Sequence, residues 1–180
     1  IDLPDFRQIE DRDIRSYLKR MLEDSERPQF AGLTLYEDTL LWIGREYEKR
    51  HIQYVEISDT TLVKRDPSCA RMLSQIHRIL PLVKQETGVD IRFLAAIRRI
   101  PLTLVKDSIV SGNYLTEAIQ ALKVVCRDPY VVGSDFVGEE ISDIAELKAV
   151  IREIVTGIAK EDPNWTIRVH AGENDSLKSN

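Results

Sequence analysis

A chain of 180 residues with 25 Lys+Arg against 30 Asp+Glu carries a net charge of −5, which argues against broad binding of nucleic acid through clustered positive charge. Its 43% hydrophobic and 31% charged residues describe a single globular domain over residues 1–180 rather than a disordered chain. No apolar run approaches the roughly 20 residues of a membrane span, and two far-apart cysteines without CxxC spacing, Cys69 and Cys126, point to a reducing compartment or to simple core filling; with the composition as a whole, a cytoplasmic location is expected.

The chain opens with Ile-Asp-Leu-Pro rather than with basic residues and an apolar block, so these residues are not expected to act as a secretory signal. Residues 1–30 form a polar leader, expected to be helical from about Phe6 to Glu23. A helix is predicted from Leu35 to Arg50, with Leu40, Leu41, Ile43 and Tyr47 apolar. A strand follows at Ile52–Ile57, then a helix at Ser68–Glu86 with Leu73, Ile76, Leu80 and Val83 inward. Pro81 lies inside it and is expected to kink or split it, because proline lacks the donor its turn needs. The strand Ile91–Ile97 leads to a loop from Pro101 to Asn113, with Ser111-Gly112-Asn113 as its turn. Next come a helix at Tyr114–Cys126 carrying Leu115, Ile119, Leu122 and Val125, and a strand at Tyr130–Asp135. The last helix has the stripe Ile144, Leu147, Val150, Ile151, Ile154, Val155 and Ile158, opened by an Asp143/Glu146 capping box. A final strand spans Thr166–His170.

Strand starts recur every ~40 residues, which suits repeated strand–helix units. The strands are nearly continuous in apolar residues, as in a parallel sheet covered by helices. Two α/β architectures give this pattern, a doubly wound sheet and a section of a (β/α)8 TIM barrel. No GxGxxG or GxxxxGK[ST] segment follows any strand, which tilts the reading to the partial barrel.

In either architecture function sits at the C-terminal strand ends, where the sequence turns polar. Those ends carry Glu56, Arg98-Arg99, Asp135 through Glu140, and His170 through Glu173. His170, leaving a buried strand, can offer an imidazole nitrogen to zinc, and a carboxyl at Glu173 can move protons. Taken alone, a histidine at a strand end is also explained by an ordinary hydrogen bond.

His170-Ala171-Gly172-Glu173 resembles the HAGE signature of the adenosine deaminase family. Val131 through Glu140 is similar to that family's apolar–Asp–x–x–Gly–acid–Glu strand end. Tyr54-Val55-Glu56-Ile57 resembles its YVE strand, and Ile91 through Arg99 its strand ending in Arg. The four segments stand in the family's order between Leu35 and Asn180. The resemblance implies strands two to five of the barrel, a catalytic zinc with His170 as a metal ligand, and conversion of adenosine to inosine and ammonia. Glu173 would be the catalytic carboxyl that gives a proton to purine N1, and the Gly138 backbone would meet purine N3. Asp135 and Glu56 become candidates for orienting His170, or else polar caps on their strands. Arg98 matches the family's arginine and is expected to make a structural ion pair.

The family's early HxH pair is missing; His51 and His77, the only other histidines, do not replace it. The chain is therefore expected to be an internal piece of a longer protein, inactive alone, with a small-molecule purine nucleoside as its partner. Self-association would cover its open sheet edges. The alternatives are a non-catalytic binding or scaffold module built on the same strands, and metal-dependent hydrolysis of another substrate.

Overall fold

The computed structural model describes residues 32–64, 67–98, 108–138 and 148–172. The expectations for the leader, for residues 101–107, for the Asp143/Glu146 cap and for Glu173 fall outside the described residues.

Helix α1 spans Leu35–Glu48 and starts at a capping box. Thr34 Oγ1 accepts from the Glu37 N–H at 3.3 Å, and Glu37 Oε2 accepts from the Thr34 N–H at 2.8 Å. Two donors that the first turn leaves unpaired are thereby satisfied. Strand β1 follows at Tyr54–Asp59, and a 3-10 turn at Thr60–Val63 buries Leu62 and Val63. Helix α2, Pro67–Thr87, is continuous through Pro81, so of the two outcomes expected there, a kink or a split, the split does not occur. Pro81 is exposed, and so is His77, whose carbonyl loses its intrahelical donor and can turn to water instead. Gly88, at φ 72°, ends the helix in the left-handed conformation, its N–H donating to Lys84 O at 3.0 Å.

Strand β2 covers Asp90–Arg98. Helix α3, Ser108–Val125, takes in Ser111-Gly112-Asn113, which was expected to form a turn. A helical glycine costs about 1 kcal/mol relative to alanine. Burial of Ala118, Ile119, Leu122 and Val125 further along the same helix outweighs that local preference. Strand β3 is Val131–Val137. Short helix α4, Lys148–Glu153, passes through a π-type turn, Ile154–Ile158, into α5, Ala159–Glu161, before strand β4, Thr166–Val169.

The four strands form one parallel sheet in the order β1-β2-β3-β4. Crossovers between parallel strands are right-handed, so steps always taken in one direction put every connecting helix on one face. Accordingly Ile91, Phe93, Ala95 and Ile97 of β2 join one core with Ile76, Val83 and Leu122 of the helices. The order never reverses, so these strands have no topological switch point of the doubly wound kind. Among the described residues no helix is long and apolar enough to cross a membrane.

Between Phe93 and Leu94 the register with β3 shifts: Phe93 pairs with Val131, but Leu94 with Gly133. Val132 is thus an extra residue, and a bulge of one residue inverts the facing of all that follows. Asp135 consequently pairs with Ala96 on the face turned away from the helices.

Candidate functional site

That second face collects polar side chains. Strand alternation puts Tyr54, Glu56 and Ser58 of β1 on it, with Ala96 of β2, Asp135 of β3 and Arg168 of β4. Arg168 Nη2 donates to Glu56 Oε2 at 2.7 Å, and the Tyr54 hydroxyl donates to Glu56 Oε1 at 2.9 Å. Two strands separate β1 from β4, which is roughly 14 Å in a flat sheet. Side chains standing perpendicular to such a sheet would not meet across it, so the pair requires this face to be concave.

Nearer the C-terminal strand ends lies a second group. Asp135 is 1% exposed, and its Oδ2 accepts from Ser58 Oγ at 2.6 Å. The same oxygen lies 3.2 Å from His170 Nε2. His170 follows β4 directly, and its backbone N–H extends the ladder by donating to Phe136 O at 3.1 Å. Its side chain is one-third exposed, so a buried carboxylate holds an imidazole that solvent reaches. The other carboxylate oxygen, Oδ1, is buried with no hydrogen-bond partner among the described residues. Ala96, opposite Asp135 on the intervening strand, is small enough to leave the way from Ser58 clear.

The structure therefore brings His170 and Asp135 together. Glu56 does not join them, and is held by Arg168 and Tyr54 instead. Gly138 lies just past β3, exposed and at φ 107°, a conformation that favours glycine and bares its backbone. Gly172, at φ 77°, turns the chain beyond His170. Arg98 ends β2 in register with Val137. Sequence reading missed Ser58 and Arg168. Each stands two residues from a residue already singled out, Glu56 and His170, and period-two alternation would have found both.

The cluster is not a serine-nucleophile triad. In that arrangement the imidazole stands between hydroxyl and carboxylate, whereas here the carboxylate stands between hydroxyl and imidazole. Nor do the described residues complete a metal site. His170 and Asp135 are two donors, a catalytic zinc takes three protein ligands plus water, and no cluster of three His, Cys, Asp or Glu side chains fit for a metal occurs among the described residues. The chain matches no family model, and a search of curated proteins finds no match.

Proposed function

We propose that the chain is the strand-two-to-five part of a (β/α)8 barrel of adenosine-deaminase type, acting on a 6-aminopurine nucleoside in the cytoplasm. The observation that carries this reading is the Asp135–His170 contact at the C-terminal ends of an unreversed parallel sheet, on its concave and helix-free face. Sites of singly wound barrels lie there, because each strand end delivers a side chain to one opening. The unreversed strand order and the Arg168–Glu56 pair across two strands favour a barrel over an open sheet.

In this reading Asp135 orients the imidazole of His170, Glu173 is the proton-donating carboxyl, and the bared backbone of Gly138 meets the purine ring. The zinc that the resemblance implies takes His170 as one ligand and needs further donors from beyond the described residues; bound there, it would supply a hydroxide nucleophile near neutral pH. Association through the exposed edges of β1 and β4 covers what the sheet leaves open. The test is deamination of adenosine by the longest natural form of the protein, with ammonia release as readout. His170→Ala should abolish it, and undiminished turnover in that variant would sink the site assignment.

One observation favours a second reading, a non-catalytic module on the same strands: only two metal donors converge among the described residues. Zinc content of the 180-residue chain, measured after metal loading and desalting, addresses it. Well below one zinc per chain fits both readings, whereas a one-to-one ratio lost in His170→Ala shows that further donors complete the site and removes the observation on which the second reading stands.

A further inference from the structure

We propose that Ser58 is a positioning residue for His170, acting through the carboxylate of Asp135 and fixing which ring nitrogen carries the proton. The proposal extends the reading of His170 as the functional imidazole and rests on it for its consequence.

The geometry is a three-member relay from β1 through β3 to the end of β4. Ser58 Oγ lies 2.6 Å from Asp135 Oδ2, the length of a strong hydroxyl–carboxylate bond, and His170 Nε2 lies 3.2 Å from that same oxygen. A carboxylate only accepts, so the hydroxyl and the ring nitrogen both donate to it. His170 Nε2 is then the protonated nitrogen, and in the neutral ring Nδ1 carries the lone pair.

The weak point of this relay is rotation of the carboxylate. Oδ1 has no partner among the described residues to prefer one orientation over the other. The Ser58 hydroxyl supplies that preference by anchoring Oδ2 as the shared oxygen. Without it the carboxylate can turn, the already long bond to Nε2 weakens, and the ring samples its other tautomer and orientation. Ser58 can be altered without touching the core, because it is exposed at the edge of the sheet.

The test is the imidazole 15N spectrum of the metal-free 180-residue chain, recorded at about pH 8.5, where an ordinary imidazole is neutral. His51 and His77 serve as internal references. In the unaltered chain His170 should give a protected Nε2–H proton and widely separated ring-nitrogen shifts. Ser58→Ala should lose that proton signal to solvent exchange and narrow the separation, while the two reference rings stay in place. Ser58→Thr, which keeps the hydroxyl, should restore both features. Should the alanine variant fail to fold, Ser58→Val against Ser58→Thr makes the same comparison with two good strand formers of equal size. A His170 spectrum unchanged by Ser58→Ala or Ser58→Val overturns the proposal, as does equal loss in the threonine variant. No substrate or metal enters this measurement. Absent deamination would therefore defeat the enzymatic reading and leave the positioning role standing, and an unchanged spectrum would do the reverse.

Discussion

Glu37 is fully buried, yet it is ionisable, and its surroundings explain how it is tolerated. Arg78 of α2 grips both carboxylate oxygens, and the Thr34 N–H donates to one of them. Burial alone would push this carboxyl up; the Arg78 hydrogen bonds, the Thr34 N–H and the Arg78 charge together hold it below its ordinary 4.5. A carboxyl depressed on folding stabilises the protein above its unfolded value and loses that contribution as pH falls through the folded one. Chemical denaturation should therefore show stability falling below about pH 4.5, with that decline weakened in Glu37→Gln. At neutral pH Glu37→Ala should lower stability by about 1–2 kcal/mol, since it removes the Glu half of the capping box, while half-exposed Arg78 is taken up by water. Gly133 is constrained differently: a Cβ there would stand 2.1 Å from Thr166 Oγ1 and 2.6 Å from the Thr166 carbonyl oxygen. Gly133→Ala should cost about 3 kcal/mol or detach β4, read as a lowered urea midpoint.

At the scale of elements, local sequence and tertiary packing disagree in two helices. Helix α2 carries Pro81 on its exposed side, with Met72, Ile76, Ile79, Leu80 and Val83 buried. The missing bond is a local loss that burial of the opposite face outweighs. Pro81→Ala should therefore stabilise the protein, by about 1–3 kcal/mol if the backbone relaxes into a regular turn, read by thermal denaturation. Close approach of α1 and α2 depends on Gly44, where a Cβ would come within 2.5 Å of Val83 Cγ1. The capping box at Thr34 has the Thr-x-x-Glu pattern ahead of an apolar run, a signal that sequence reading missed. The continuation of α3 through Gly112 was not legible, because glycine and asparagine speak for a turn until the rest of the helix has a surface to bury.

For the molecule as a whole, the Arg168–Glu56 pair reports on sheet curvature. With side chains 48% and 21% exposed, it should be worth about 0.5–1 kcal/mol in a double-mutant cycle, and less in high salt. A coupling of zero at low salt would remove the evidence for a concave face. The alternation of apolar runs and amphipathic stretches was enough, by itself, to determine four parallel strands with helices between them, because burial on both faces of a strand and one face of a helix writes directly into residue periodicity. Sequence also determined that His170 leaves the last strand, whereas Asp135, read as the end of its strand, lies inside β3, which runs on to Val137. It did not determine that they meet: that was decided by the extra residue Val132 in β3, which inverts the alternation and turns Asp135 to the face of Ser58 and His170. Gly133 inside the apolar run is the sort of residue that marks a bulge, but which residue is extra is a property of the pairing between two strands and is not written in either strand read alone. The same holds for the concave face, which exists only once the strands are side by side and twisted.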